Sequence, residues 1–317
     1  MIIPVVSRAC GIVALCVLAA SLFGCTKTGP GDSPGKPGAS SPPGVGNALI
    51  GLSLSTLNNP FFVAVRQGAE AEAAAKGVRV ITVDAQNDPS KQIGSMEDLI
   101  QRRVRVILLN PTDSDADANV VKEAQAAGIP VISLDRSVNG VEVSAHIASD
   151  NVAGGKMAAE YLLKKIGGKG NLVELQGIPG SSAARERGAG FHSVIDGNPN
   201  VRLIASQPAD FDRAKGLFVM ENILQGNKDI QGVFAHNDET ALGASKAIEA
   251  AGLHNVQIVG FDATADAVAA VKAGQLAATV QQKPELMGKM GIDAAVDLMS
   301  GKKIQPRIAV PLSLITQ

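Results

Sequence analysis

The sequence predicts an α/β fold built from two lobes, each containing a doubly wound parallel sheet. Short apolar runs rich in β-branched residues recur along the chain from residue 47 onward, and helical segments separate them. Strands that are buried on both faces of a parallel sheet give such continuous apolar runs. The series restarts in the second half, giving nine or ten strands, which is too many for one open sheet of ordinary size. We therefore expect two doubly wound lobes of similar size.

The first half supplies four of these strands, with helical segments such as "FFVAVRQGAEAEAAAKG" and "SKQIGSMEDLIQRRV" between them. Gly77 and Gly128 stand where helices are expected to end, because glycine adopts the left-handed conformation of a C-cap without strain. The predicted strands of this half are 47–54, 78–84, 104–110 and 129–135.

The second half repeats the alternation without repeating the sequence. The segment 141–162, "VEVSAHIASDNVAGGKMAAEYL", has the pattern of a strand that crosses from one lobe to the other. The predicted strands that follow are 170–177, 201–207, 232–238, 256–262 and 276–282.

Charge and length limit the classes of function. The chain has 317 residues, enough for two domains, and its 29 basic and 30 acidic residues include no cluster of Lys or Arg. This balance argues against nucleic acid or an anionic surface as a partner. The function is therefore expected in a localised site.

The N-terminus predicts export. Residues 9–25 form an apolar run after Arg8, and this run is shorter than the ~20 residues of a spanning helix. It ends in "LFGC", which resembles the lipobox of bacterial lipoproteins and implies a signal peptide at 1–25 and a diacylated Cys25. An uncleaved anchor or a plain secretory signal are the alternatives. Residues 26–46, with five Pro and six Gly, read as a flexible linker.

Polar residues cluster where the predicted strands end, and ligands of open parallel sheets bind beside those ends. Many such residues are helix N-caps or turn formers, which is the ordinary explanation for a single Asp or Asn. The residues are Asn58, Asn59, Asp84, Asn110, Asp135, Arg136, Asp150, Asn237, Asp238 and Asp262.

The pairing of residue types at these ends points to a sugar. Asp135 beside Arg136 joins an acceptor to a donor, and Phe261 beside Asp262 joins an aromatic face to a carboxylate. Sugar hydroxyls both donate and accept hydrogen bonds, and sugar C–H faces pack against aromatic rings. Phe61 and Phe62, adjacent in a chain with only eight Phe, one Tyr and no Trp, fit one wall of such a site, although taken alone they would be core.

Catalytic and metal chemistry is not indicated. The sequence contains no G-x-S-x-G elbow, no phosphate-binding loop and no dinucleotide fingerprint after a strand. The four His (146, 192, 236 and 254) lack metal-ligand spacing. We expect a binding protein with no cofactor and no metal.

The motifs "STLNNPFF", "LNPTDSDA", "SLDR", "HIASDN", "LQGIPGSSAARERG", "SQPADFDRAKG", "NDETALGA" and "VGFD" strongly resemble the ribose-binding proteins of bacterial ABC importers, which are type I periplasmic binding proteins. The resemblance covers 47–317. It implies two Rossmann-like lobes joined by three hinge crossings, with one sugar in the cleft. The implied N-terminal lobe is 47–149 plus 283–311, and the C-terminal lobe is 150–282 plus 312–317.

The resemblance also implies the ligand contacts. Phe62 and Phe211 are expected to clamp the faces of the sugar ring, with Phe61 beside them, and Arg187 rather than Arg185 is expected to face the cleft. His236 and Ala263 depart from the family pattern, which has Gln and Gly there. The implied contacts are Asn59, Phe61, Phe62, Asp135, Arg136, Arg187, Phe211, Asn237, Phe261, Asp262 and Gln282.

The implied function is capture of D-ribose, or a close monosaccharide such as allose, and its delivery to an ABC permease in the inner membrane by hinge closure. Service to a chemoreceptor or sensor kinase is an alternative that the sequence leaves open. A transcription factor core of the lac-repressor type shares the fold, but it needs a helix-turn-helix before residue 47, where this chain has a signal and a linker. An enzyme on this scaffold is the least favoured alternative.

Overall fold

A computed structural model describes residues 45–317 and contains two six-stranded sheets. The signal peptide, Cys25 and residues 26–44 of the linker lie outside the described residues. The strands are β1 (Leu49–Leu54), β2 (Arg79–Asp84), β3 (Val106–Leu109), β4 (Val131–Leu134), β5 (Ala145–Ala148), β6 (Gly170–Gln176), β7 (Val201–Pro208), β8 (Gly232–Ala235), β9 (Gln257–Asp262), β10 (Ala278–Gln281), β11 (Arg307–Ala309) and β12 (Ser313–Thr316).

Helices connect most of the consecutive strands, as the alternating pattern predicts. They are α1 (Pro60–Lys76), α2 (Pro89–Gln101), α3 (Ala118–Ala126), α4 (Asn151–Lys165), α5 (Ser182–Ile195), α6 (Arg213–Gly226), α7 (Asp238–Ala250), α8 (Ala265–Lys272) and α9 (Pro284–Met299). Gly77 caps α1 in the left-handed conformation, with φ 67°, as predicted. Gly128, just beyond α3, also has a positive φ of 76°.

Each sheet forms the centre of one lobe. The strand order is β11-β5-β4-β3-β1-β2 in the first sheet and β12-β10-β9-β8-β6-β7 in the second. All the pairings in the first sheet are parallel, and β12 in the second is the exception because it runs antiparallel to β10. The predicted fold class, two parallel-sheet α/β lobes, is confirmed.

The chain passes between the two sheets three times. It leaves the first sheet after β5, returns to it after β10, and leaves again between β11 and β12. Helix α4 packs against β8, β9 and β10, whereas α9 packs against β3, β4 and β5. These three passages place the carboxyl ends of both sets of parallel strands around one cleft.

Three pairs of helices approach so closely that glycine is needed at their contacts. A Cβ on Gly68 would overlap the carbonyl oxygen of Glu285, and one on Gly288 would overlap that of Val65. The same reciprocal relation joins α4 to α5 and α6 to α7 through Gly155, Gly190, Gly216 and Gly243. Small residues at these crossings let the helix backbones touch, which fixes the position of each helix on its sheet.

The structure differs from the sequence prediction at three points. In the segment 141–162 only residues 145–148 are a strand, and α4 begins at Asn151. Strands β11 and β12 were missed because they are three and four residues long and only partly buried. Val45, assigned to the linker, is fully buried in the core of the first lobe.

Within residues 45–317, no helix is both long enough and apolar enough to span a membrane.

Candidate functional site

A small polar cavity lies between the lobes at the carboxyl ends of the strands. Nine of its ten lining residues belong to the predicted set, and Ala183 on α5 is the tenth. The lining residues are Asn59, Phe61, Phe62, Asp135, Arg136, Ala183, Arg187, Phe211, Asn237 and Asp262. The structure thus brings together residues from two segments of the first lobe and four segments of the second.

The start of α1 supplies one wall of the cavity. Asn59 is the N-cap, and its side-chain oxygen accepts a hydrogen bond from the backbone N–H of Phe61 at 2.9 Å. This use of the oxygen leaves the amide N–H groups of Asn59 for a ligand. Phe61 and Phe62 meet edge to face at 5.2 Å, and both are buried. The two rings therefore belong to the core and to the cavity at once.

The turn after β4 presents Asp135 and Arg136. Asp135 has a positive φ of 63°, and its backbone N–H donates to the carbonyl of Ile147 on the neighbouring strand. Arg136 Nη1 donates to the carbonyl of Pro111 at 3.0 Å. Burial lowers the pKa of Arg136 to about 10, so the guanidinium remains charged at neutral pH. A donor fork and a carboxylate are thus held side by side with almost no solvent exposure.

Arg187 on α5 is anchored by three groups outside the cavity. Its Nε donates to Asn151 Oδ1 at 2.9 Å and its Nη1 donates to the carbonyl of His236 at 2.6 Å. Its guanidinium carbon lies 3.8 Å from the ring centre of Phe261, a cation–π contact. Arg187 is 3% exposed and lines the cavity, whereas Arg185 is exposed and does not line it.

Phe211 lines the cavity from the second lobe. It has a positive φ of 59°, an unusual conformation for a bulky residue, and a Cβ on Gly177 would overlap its ring. The guanidinium carbon of Arg136 lies over both rings, 5.1 Å from the centre of Phe62 and 5.2 Å from that of Phe211. Phe62 and Phe211 therefore line one cavity and both contact the side chain of Arg136.

Asn237 and Asp262 complete the second lobe's contribution. Asn237 caps α7 through its side-chain oxygen, and its Nδ2 donates to the carbonyl of Phe211 at 3.2 Å. Asp262 ends β9 and accepts a hydrogen bond from Gln282 Nε2 at 2.9 Å. Burial raises the pKa of the Asp262 carboxyl well above its ordinary value, although the nearby charge of Arg187 opposes this.

Two of the predicted contacts do not line the cavity. Phe261 is fully buried beneath the guanidinium of Arg187, and Gln282 lies behind the carboxylate of Asp262. Each touches a residue that does line the cavity. His236, expected to be a neighbour of a contact, is buried with its Nε2 2.9 Å from Glu174 Oε1.

The cavity contains polar atoms without partners. Asp135 Oδ1 and Arg136 Nε are buried and form no hydrogen bond. Asp135 Oδ1 lies 4.0 Å from Arg187 Nη2, and Arg136 Nε lies 3.7 Å from Asp135 Oδ2. Both distances are too long for a hydrogen bond. Buried polar groups in native proteins are nearly always paired, so an unpaired acceptor beside an unpaired donor indicates a ligand that offers both.

The charges in the cavity balance. Two guanidinium groups, Arg136 and Arg187, face two carboxyl groups, Asp135 and Asp262. A net charge near zero favours a neutral ligand over an acid, a phosphate or an amine, each of which would need an excess of the opposite charge. Within the described residues no group of three or more His, Cys, Asp or Glu could hold a metal ion.

Sequence reasoning missed the residues that hold the site in place. Asn151 fixes Arg187 from 36 positions away, and Gly155 lets the backbone of Arg187 approach α4. Ala183 lines the cavity in the first turn of α5. Such roles depend on contacts between distant parts of the chain, and neither the spacing of residues nor their type predicts them.

Several known proteins are similar to this chain. The model of the periplasmic binding protein domain matches residues 50–303. The Ribose import binding protein RbsB of Bacillus subtilis is 53% identical over 84% of this chain and 87% of its own length. The protein of the same name from Escherichia coli is 49% identical over 84% of this chain and 90% of its own length.

Solved structures show the same architecture. The myo-inositol binding protein of Caulobacter, bound to myo-inositol, superposes with a TM-score of 0.82 at 35% identity, covering 88% of this chain and 96% of its own. A solute binding protein of Actinobacillus succinogenes with bound D-allose superposes with a TM-score of 0.80 at 32% identity, covering 85% of this chain and 97% of its own.

These relatives confirm the prediction of a solute-binding protein of the ABC importer type rather than an enzyme, and family membership implies export from the cytoplasm. Because the family model matches residues 50–303 and a relative is 53% identical, the chain belongs to the periplasmic binding protein family.

Proposed function

We propose that this protein binds D-ribose, or a neutral monosaccharide of closely similar shape, in the cavity between its lobes and presents it to an ABC permease. The unpaired Asp135 Oδ1 beside the unpaired Arg136 Nε carries the proposal. Neighbouring sugar hydroxyls would satisfy both atoms, because each hydroxyl donates one hydrogen bond and accepts others. Phe62 and Phe211 would pack on the ring faces.

The relatives support the ligand class. Those that share about half of their residues with this chain are named for ribose import, and two structural neighbours near one-third identity hold allose and myo-inositol. All three are small neutral polyols. The balanced charge of the cavity favours the same class.

Binding would be coupled to movement of the lobes. We take the moving bodies to be 47–149 plus 283–311 and 150–282 plus 312–317. Asn59, Asp135 and Arg136 would bind from one side and Arg187, Asn237 and Asp262 from the other. A ligand that touches both sides favours the closed arrangement, and hinge closure of this kind is the motion described for periplasmic binding proteins as a class. The closed form would then dock on the permease.

A lipid anchor at Cys25 would hold this binding protein at a membrane surface. The motif "LFGC" supports that anchor, and mass measurement of the mature N-terminus tests it. A mature chain that begins elsewhere would overturn it without affecting the sugar site.

Isothermal titration calorimetry of the purified protein, freed of endogenous sugar, tests the ligand. The panel is ribose, allose, arabinose, xylose, galactose and glucose. Calorimetry is preferred to intrinsic fluorescence because the chain has no Trp. We expect one-to-one binding that is tightest for ribose. Tighter binding of another sugar would overturn the ribose assignment, and no binding to any of the six would overturn the function.

A matched pair of charge reversals tests the cavity. Asp135→Lys should abolish sugar binding while the thermal unfolding transition remains cooperative. Glu97→Lys makes the same change on the exposed face of α2 and should leave binding intact. Retained sugar affinity in Asp135→Lys would refute the assignment of the site.

A further inference from the structure

Asp238 is a fully buried carboxylic acid that does not line the cavity. It is the first residue of α7 and directly follows the cavity residue Asn237. Within residues 45–317 its carboxylate accepts hydrogen bonds from neutral donors and forms no ion pair. An isolated buried carboxylate is costly to fold, so its presence calls for a structural or functional reason.

Every hydrogen bond of this carboxylate goes to the segment that follows Asp262 or to the strand beside it. Oδ2 accepts from the backbone N–H of Thr264 at 2.7 Å and from its hydroxyl at 3.2 Å, and Oδ1 accepts from the hydroxyl of Thr279 at 2.7 Å. The Thr279 oxygen in turn accepts from the backbone N–H of Ala263 at 3.2 Å. We call Asp238, Thr264 and Thr279 the loop clamp.

Strand β9 is shaped to admit the clamp. A Cβ at Gly260, two residues before Asp262, would overlap Asp238 Oδ1. The absence of a side chain there lets the carboxylate reach past the strand to the loop. Burial raises the pKa of Asp238 to about 7, with the Thr279 hydroxyl and the Thr264 groups opposing the rise.

The clamped loop has a conformation that its residues disfavour. Asp262 has φ 121° and Ala263 has φ 60°. Ala263 has a Cβ and gains no compensating side-chain hydrogen bond in the left-handed region, where glycine is the residue without strain. Left to itself the loop would relax, and the carboxylate of Asp262 would turn away from Gln282 and Arg187.

We propose that Asp238 is a positioning residue for the sugar site: its loop clamp holds Ala263 in the left-handed conformation and thereby aims Asp262 into the cavity. The inference rests on the proposed function, because Asp262 must be a sugar contact for its aim to matter. A glycine at position 263 would adopt this positive φ without strain. Ala263 does not, and the hydrogen bonds of the clamp hold it there instead.

The test combines removal of the clamp with relief of the strain. Asp238→Ala leaves three donors without an acceptor and should weaken sugar affinity about tenfold or more, where tenfold corresponds to ~1.4 kcal/mol. Asp238→Asn keeps one acceptor oxygen and should fall between Asp238→Ala and the unchanged protein. Adding Ala263→Gly to Asp238→Ala should restore most of the affinity, measured against Ala263→Gly alone.

Two controls make the rescue specific. Glu239→Gln changes the next residue of the same helical turn, which pairs with Arg213 at the surface, and should leave affinity unchanged. Gln282→Ala removes the group that touches Asp262 directly, so Ala263→Gly should not rescue it. If Asp238→Ala does not fold, Thr279→Val removes the acceptor of the Ala263 N–H and should behave in the same way.

A ligand-free measurement separates this inference from the proposed function. In the ligand-free protein, hydrogen exchange at the Ala263 and Thr264 amides should be faster in Asp238→Ala than in the unchanged chain, because the acceptors that protect these amides belong to the clamp. Failure of the unchanged protein to bind any sugar would count against the function and leave this exchange result standing. Normal sugar binding with no rescue by Ala263→Gly would overturn the role of Asp238.

Discussion

The α-carbon of Gly155 on α4 faces the carbonyl oxygen of Arg187 on α5, and a Cβ at position 155 would overlap that oxygen. Arg187 also receives its side-chain anchor from α4, through Asn151. Helix α4 thus fixes both the backbone and the guanidinium of one cavity residue. The packing of two helices and the geometry of the candidate site depend on the same glycine.

Gly155→Ala should therefore destabilise the protein and weaken sugar binding. Overpacking a close contact costs about 1–3 kcal/mol, and the displacement of α5 would move Arg187 out of the cavity. Gly94→Ala is the matched control, because Gly94 lies inside α2 with open space around its α-carbon. That change should stabilise the fold by ~0.5–1 kcal/mol. Urea denaturation and calorimetry check both variants, and equal effects of the two would contradict the argument.

Hydrogen bonds near Ser114 and Ser182 join the two lobes without involving the cavity. Ser114 N–H donates to the carbonyl of Gly180 at 3.0 Å, and Ser114 Oγ accepts from the N–H of Ser182 at 3.1 Å. Ser182 Oγ accepts from the N–H of Ser137 at 2.9 Å. These bonds stabilise the arrangement in which the lobes meet, so they add to the effect of a bound ligand.

Removing one of these hydroxyls should weaken sugar affinity about three- to tenfold, the effect of a net hydrogen bond of ~1 kcal/mol. Ser182→Ala and Ser114→Ala test this by calorimetry, and small-angle X-ray scattering of the ligand-free variants should show a larger radius of gyration. Ser193→Ala is the control, because its hydroxyl bonds within α5 to Gly190. Unchanged scattering together with unchanged affinity would show that these bonds do not set the balance between open and closed forms.

The sequence predicted the elements that have strong local patterns. Continuous apolar runs mark β3 and β4, each fully buried, and strand-end polar residues mark the cavity. It could not predict β11, whose three residues are partly exposed and become a strand only by pairing with β5. Nor could it show that Phe261 lies under Arg187, because that position follows from the meeting of β9 with α5.

Asp117 offers a test of pH dependence away from the site. It is fully buried at the start of α3, and its carboxylate oxygens accept no well-formed hydrogen bond within the described chain. Burial, with the charge of Asp113, raises the pKa of Asp117 to about 7. The folded protein therefore binds more protons than the unfolded chain between the ordinary pKa and 7, so stability falls as the pH rises through that interval.

Asp117→Asn should remove the loss of folding stability that the buried Asp117 carboxyl causes as the pH rises. We expect the variant to be more stable than the unchanged protein at pH 8, by on the order of 2 kcal/mol, with the advantage shrinking toward pH 4. Glu123→Gln, an exposed change on the same helix, should show no such trend. The measurement is the free energy of unfolding in urea at several pH values. A stability difference that does not vary with pH would contradict the buried-acid explanation.

The pKa of Glu174 is shifted in the opposite direction to that of Asp117, because hydrogen-bond donors surround the Glu174 carboxylate. Its fully buried carboxylate accepts from the Ser206 hydroxyl at 2.5 Å and lies 2.9 Å from His236 Nε2. Burial alone would raise the pKa of Glu174, but His236, Ser206 and His192 together outweigh it and lower the pKa to about 2. The ionised carboxylate of Glu174 therefore stabilises the folded protein above the ordinary pKa of 4.5, and this contribution is lost as the pH falls from 4.5 toward 2.

Glu174→Gln should destabilise the protein at pH 7 by about 1–3 kcal/mol, because the amide cannot accept from all of these donors. The difference from the unchanged protein should shrink as the pH falls below 4.5, since the carboxylate itself becomes protonated. Glu221→Gln on the exposed face of α6 is the control. Circular dichroism during urea unfolding at pH 7, 4 and 3 checks the trend. A difference that grows in acid would mean that protonated His236 and His192, not the carboxylate, dominate the acid stability of this lobe.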